Sequence, residues 1–88
     1  MAKRQRTGQR INTALLRRAR LRKGWTLRDV SARCDDLKTP VSFALIAMYE
    51  RDEVSPTPKN LRAVAIALDL TVDELLDVPE DDVNGSAA

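Results

Sequence analysis

Residues 58–68 show the hydrophobic pattern of one helix face, with apolar side chains at positions i, i+3, i+4 and i+7. These positions are Leu61, Val64, Ala65 and Leu68. Because an α-helix completes a turn about every 3.6 residues, the spacing predicts an amphipathic helix packed against a core. Thr57 and Pro58 mark its beginning, since Thr is a good N-cap and Pro suits the first helical position.

A first helix is predicted from Asn12 or Thr13 to about Lys23. Either polar residue is a suitable N-cap, and Gly24 readily adopts the left-handed backbone conformation that ends a helix. The apolar positions of this helix fall on one stripe and are Leu15, Leu16 and Ala19.

A second, shorter helix is predicted to begin at the capping box of Thr26 and Asp29 and to run through about Cys34. Its inner face is expected to contain Val30, Ser31 and Cys34. Residues 35–40 are polar, include a proline and have no hydrophobic period, so a loop is predicted there.

A third helix follows this loop, with Thr39 or Ser42 as its cap and its end near Arg51. Residues 55–58 contain two prolines and predict a rigid connection to the helix that begins at Pro58.

A fifth, short helix begins at a second capping box, formed by Thr71 and Glu74, and is stopped by Pro79. It carries Leu75 and Leu76. Five short helices without a strand pattern predict an all-α domain over residues 11–78. Residues 1–10 are predicted to be a flexible basic arm, and residues 79–88 an acidic, disordered tail.

Charge is distributed unevenly along the chain. Residues 1–33 contain eleven Lys and Arg and one acid, whereas residues 34–88 contain four Lys and Arg and twelve acids. The formal charges are therefore +10 and −8. Such asymmetry is typical of proteins that bind nucleic acid or an anionic surface, and a solvated basic helix face explains it equally well.

The chain has no histidine and one cysteine, Cys34. It lacks the usual general base and most zinc ligands, and one thiol cannot form an internal disulfide. We therefore expect no enzymatic activity, no metal and no cofactor, with Cys34 a small buried apolar residue. No apolar run is long enough to cross a membrane, so we expect a soluble, cytoplasmic protein without a membrane partner.

Several of these positions recur at the spacing of a known family. They are Leu16, Ala19, Arg20, Gly24, Thr26, Val30, Ser31, Ile46, Tyr49, Glu50, Arg51, Pro56, Leu61, Leu68, Leu70, Val72, Leu75 and Leu76. In this respect the chain resembles the Cro/CI-type (phage-repressor-like, XRE) helix-turn-helix domains. The resemblance implies a compact five-helix, lambda-repressor-like fold that binds double-stranded DNA as a homodimer, with the third helix, about residues 42–51, in the major groove.

The resemblance also implies an ion pair between Arg20 on the first helix and Glu50 at the end of the third. Family members carry a largely buried Arg–Glu pair at these places, and a buried charge that loses its partner is costly. The alternative is that Arg20 joins a solvated basic face with Arg17 and Arg18.

The chain departs from the family pattern in the turn between helices two and three, which is about five residues longer. We therefore predict an extended turn, from which Lys38 and Thr39 are candidate DNA contacts. The neighbouring Asp35 and Asp36 argue against this interpretation, because acids repel phosphate.

The third helix is unusually apolar for a helix that faces bases. Ile46 and Tyr49 occupy core positions of the family frame. The candidate base contacts are Ser42, Phe43, Ala44, Ala47 and Met48. Apolar side chains cannot form the hydrogen bonds that distinguish G or A, but they can contact thymine methyl groups.

Phosphate contacts are expected from positive residues around this helix. Arg51 matches a family position that touches the backbone, and Arg28 lies in the first turn of helix two, where phosphate is favoured. The arm contributes Lys3, Arg4, Arg6 and Arg10, for the backbone or the minor groove.

Two functions from different classes remain open. The first is a small sequence-specific transcriptional regulator, Cro-like or a repressor, without an evident small-molecule ligand. An excess of Arg over Lys suggests a GC-rich source such as an actinobacterium or its phage. The second is a protein-interaction module on the same fold, namely an antitoxin, an adaptor or a co-regulator, that uses exposed Phe43, Leu45 and Met48, or the acidic tail.

The dimer surface is a separate question. Helix five, with Leu75 and Leu76, is the candidate dimer surface, unless both side chains are buried in the core.

Overall fold

The computed structural model describes residues 10–78, which form five α-helices and no strand. The helices are α1 (Thr13–Arg22), α2 (Leu27–Asp36), α3 (Phe43–Glu50), α4 (Pro58–Ala67) and α5 (Val72–Leu76). The predicted all-α, five-helix fold is confirmed. The predictions for residues 1–9 and 79–88 lie outside the described residues.

Every helix begins at an Asn, Ser or Thr whose side-chain oxygen accepts a hydrogen bond from the backbone N–H three residues later. These caps are Asn12, Thr26, Ser42, Thr57 and Thr71. Both predicted capping boxes form, with Asp29 and Glu74 bonding back to their N-caps. Each cap satisfies an N–H that the helix leaves unpaired and contributes about 1 kcal/mol.

The prediction for the end of the second helix is wrong by two residues, because Asp35 and Asp36 are helical and the loop begins at Leu37. A hydrogen bond closes the C-terminal end of α2, because Thr39 N donates to Cys34 O at 3.1 Å. Lys38, between these two residues, has a φ of 64°. This left-handed residue ends the helix as a glycine commonly does, although Lys carries a Cβ.

The core contains side chains from all five helices. Its largest fully buried members are Tyr49, Leu16, Ile46, Leu75, Val30, Val64 and Cys34. α2 packs on α3 and α4, whereas α1 packs on α3 and α5. Burial of each large apolar side chain stabilises the fold by about 1.5–3 kcal/mol, which short helices need because they are unstable alone.

The two ends of the described chain meet beside the start of α1. Asn12 N donates to Leu75 O at 2.7 Å, and Asn12 Nδ2 donates to Asp77 O at 3.3 Å. The chain therefore enters α1 and leaves α5 at the same point on the surface.

Candidate nucleic-acid interface

A surface groove runs between the outer side of α1, the start of α2 and the end of α3. It is lined by Arg17, Leu27, Ala47, Glu50 and Arg51. We call it the α1–α3 groove. It brings the N-terminus of α2, which favours anions, to the same place as two guanidinium groups.

One wall of this groove is fixed by the ion pair between Arg20 and Glu50. Arg20 Nε donates to Glu50 Oε2 at 2.6 Å, and Nη2 donates to Oε1 at 3.0 Å. Arg20 Nη1 also donates to the Trp25 carbonyl at 2.9 Å. The side chains are only 12% and 8% exposed, so the pair ties α1 to the end of α3 away from water. The hydrogen bond to Glu50 raises the pKa of Arg20, against the lowering effect of burial.

Arg51 follows α3 directly and forms a second bidentate pair, on the surface. Its Nε donates to Glu53 Oε2 at 2.8 Å and its Nη2 to Oε1 at 3.1 Å. The two side chains are 59% and 45% exposed. The hydrogen bond to Glu53 raises the pKa of Arg51, which stays charged. A phosphate that binds Arg51 must therefore compete with a carboxylate already in place.

Arg28 and Phe43 lie together at the junction of α2 and α3. The Arg28 guanidinium carbon is 4.2 Å from the centroid of the Phe43 ring, a cation–π contact. Phe43 is 40% exposed, so the ring supports Arg28 as well as facing solvent. Sequence reasoning missed this contact, because it depends on the angle at which α2 and α3 cross.

The other candidate base contacts differ in exposure. Ser42 is the exposed N-cap of α3 and accepts a hydrogen bond from Leu45 N at 3.1 Å, while Ala44 is exposed. Ala47 and Met48 are half-buried.

The expectation of an exposed apolar patch on α3 is wrong in part. Leu45 packs against the core, and Met48 is half-buried rather than exposed. α3 has only eight residues, nearly all of them apolar, and it contacts both α1 and α2. A helix that is apolar on every side buries more than one side, so its pattern did not indicate which residues stay exposed.

The extended turn places its candidates apart from the α1–α3 groove. Lys38 is exposed at the end of α2. Thr39 is half-buried and lines a different groove, with Leu37 and Ile66 among its neighbours.

Only one residue of the predicted basic arm lies in the described part of the chain. Arg10 is exposed, and its Nη2 is 3.8 Å from Asp52 Oδ2. The beginning of the described chain therefore lies close to the segment that follows α3. Lys3, Arg4 and Arg6 lie outside the described residues.

Arg17 is the residue that sequence reasoning missed. It was treated as part of a solvated basic face, yet it lines the α1–α3 groove with Arg51. The sequence contained one signal for this position. Arg17 lies about one helical turn before Arg20, so the two arginines are neighbours on the surface of α1.

The two leucines that made helix five the candidate dimer surface both pack in the core or against it. Leu75 is completely buried in the core, and Leu76 is half-buried against it. Cys34 is also buried, and burial raises the pKa of its thiol.

Over residues 10–78, no group of three or more His, Cys, Asp or Glu side chains is arranged to hold a metal ion. Within the same range, no helix is long and apolar enough to span a bilayer.

The fold and the groove together define a class: a five-helix domain in which α2 and α3 form a helix-turn-helix. The sequence profile of the helix-turn-helix family matches residues 16–75, which is more than half of the chain. The chain belongs to this family, and the resemblance to its Cro/CI-type members is confirmed. In general terms it is a DNA-binding regulator. No curated protein and no solved structure matches the chain at a significant level.

Proposed function

We propose that this protein is a small sequence-specific transcriptional regulator that inserts α3 into the major groove of double-stranded DNA. The α1–α3 groove carries the proposal, because it gathers Arg17 and Arg51 around the N-terminus of α2. Guanidinium groups and a helix N-terminus are both phosphate ligands. They would position α3, while residues on α3 contact the bases.

Base recognition on this account relies on shape and apolar contact more than on hydrogen bonds. Ala44 and Ala47 are small, so the helix can approach the base edges closely, and Phe43 and Met48 can contact thymine methyl groups. Ser42 is the polar side chain at the start of α3. Arg28, which stacks on the Phe43 ring, would contact a backbone phosphate next to these bases.

Further phosphate contacts come from outside the α1–α3 groove. Lys38 and Thr39 in the extended turn, together with the arm residues Lys3, Arg4, Arg6 and Arg10, would extend the contact along the duplex. Because each neutralised phosphate releases counterions, affinity should fall steeply with salt.

The regulator would act as a homodimer on two half-sites one helical turn apart, in the manner of Cro-sized repressors. It would block access to DNA by binding, without catalysis or a cofactor. We expect the protein to act on the nucleoid of an actinobacterium, encoded by the bacterium or by its phage. The excess of Arg over Lys supports this origin.

Selection from a random duplex library at about 150 mM salt tests this function, because exposed charges are then screened beyond ~8 Å. A recovered palindrome with half-sites ~10 base pairs apart is the expected result. Binding without any enriched sequence would overturn the proposal and favour the protein-interaction module instead.

A further inference from the structure

The outer face of α1 is basic and carries an exposed leucine. It is lined by Ala14, Arg17, Arg18, Leu21 and Arg22. α1 contains no acidic residue, and Leu21 is 51% exposed. Three guanidinium groups therefore surround an apolar side chain that the described residues leave uncovered.

The arginines on this face differ from the other cations of α1 in their partners. Arg20 pairs with Glu50, and Lys23 Nζ lies 2.6 Å from Asp69 Oδ2 at the far end of α4. Arg17, Arg18 and Arg22 form no ion pair with any residue between positions 10 and 78. Their charges are available to an acidic segment.

An acidic segment begins where this face begins. The ten residues after Val78 are PEDDVNGSAA, in which Glu80, Asp81 and Asp82 are consecutive and Val83 follows. The hydrogen bond from Asn12 Nδ2 to Asp77 O fixes the exit of the chain beside the N-terminus of α1.

The dimensions match as well. α1 has ten residues, so it is about 15 Å long at ~1.5 Å per residue. Four or five residues of extended chain reach about 13–18 Å. A segment of this length that starts beside the N-terminus of α1 can therefore reach Arg17, Arg18, Arg22 and Leu21.

We propose that residues 79–88 bind across the outer face of α1 of the same molecule in the absence of DNA. Glu80, Asp81 and Asp82 would pair with the three arginines, while Val83 covers Leu21. The negative charge of this segment is complementary to the positive charge of the outer face of α1. Arg17 also lines the α1–α3 groove, so tail and DNA would compete for it. This competition, unlike the contact itself, rests on the proposed function.

Paramagnetic NMR on the full chain tests the contact without DNA. A nitroxide is attached to Ser86→Cys, and Cys34 is buried and therefore unreactive. At about 50 mM salt we expect amide broadening concentrated on residues 17–22. Neutralisation of the tail by Glu80→Gln, Asp81→Asn and Asp82→Asn should abolish the broadening.

Three results would overturn the contact. They are broadening centred on the two exposed cations of α4, Lys59 and Arg62, broadening centred on the N-terminal arm, and the absence of localised broadening. A mixture of tagged, unlabelled protein with untagged, isotope-labelled protein must show no broadening, since an effect there would mean that the tail binds a second copy.

Binding to a random-sequence duplex tests the competition. The neutralised tail is compared with Asp69→Asn, Asp73→Asn and Asp77→Asn, which remove three exposed acids outside the proposed DNA interface and change the net charge equally. Because exposed ion pairs are weak individually, we expect the neutralised tail to gain about three- to tenfold more affinity than the control.

Equal gains would overturn the competition. If the NMR contact is present but neither variant nor the unchanged chain binds duplex, the proposed function fails and the tail contact stands.

Discussion

Two bidentate arginine–carboxylate pairs among residues 10–78 have almost the same geometry and opposite surroundings. Arg20 and Glu50 meet at 2.6 and 3.0 Å, and Arg51 and Glu53 at 2.8 and 3.1 Å. The first pair is buried and joins residues thirty positions apart, whereas the second is exposed and joins residues two positions apart.

The comparison shows that burial, and not hydrogen-bond length, decides what an ion pair does. A buried charge that loses its partner is destabilising by its full desolvation free energy. The pair between α1 and α3 therefore holds these two helices together. An exposed pair is solvated with or without its partner, so Arg51 can exchange Glu53 for a phosphate at small cost.

The largest expected effect comes from breaking the buried pair. Arg20→Ala should lower the free energy of unfolding by about 3–5 kcal/mol, because Glu50 is left buried without its partner. The matched change Arg17→Ala removes an exposed arginine from the same helix and should cost less than about 0.5 kcal/mol. Urea unfolding of both variants checks this, and equal midpoints would contradict the structural role of Arg20.

A conservative change sharpens the same point. Arg20→Lys keeps the charge but cannot bridge both oxygens of Glu50 and the Trp25 carbonyl at once. We expect a loss of about 1–3 kcal/mol, between that of Arg20→Ala and zero. An unfolding midpoint identical to that of the unchanged chain would mean that charge alone, without the fork geometry, holds α1 to α3.

The smallest effect is expected at the exposed pair. Glu53→Gln removes the carboxylate that competes with phosphate for Arg51, so affinity for duplex DNA should rise about two- to fivefold. Asp73→Asn is the control, since it removes an exposed acid from α5 with the same change in charge. If the affinity gain is no larger than that of the control, Arg51 does not bind a phosphate of the duplex.

Local signals in the sequence were sufficient to predict where the helices begin. Caps such as Thr26 and Thr71 act through hydrogen bonds within three residues, so their effect can be predicted without the rest of the fold. The end of α2 could not be predicted in this way, because Lys38 takes the left-handed conformation usual for glycine and gives no sequence signal.

The candidate interface was predictable only in part. Family spacing identified Glu50 and Arg51, but the position of Arg17 in the groove and the stacking of Arg28 on Phe43 depend on how three helices cross. The hydrophobic period of a sequence does not predict the angles at which helices cross. For α3 it does not predict which side is buried either, because nearly every residue of that helix is apolar.

The most direct test of the account is the salt dependence of duplex binding for Arg51→Ala and Arg33→Ala. Arg33 is also exposed and near an acid, at 4.0 Å from Asp36, but it lies beside Trp25 on the other side of α2. If Arg51 binds a phosphate, its removal lowers the slope of log affinity against log salt by about one, and removal of Arg33 leaves it unchanged. Equal slopes for the two variants would contradict the assignment of the α1–α3 groove to DNA.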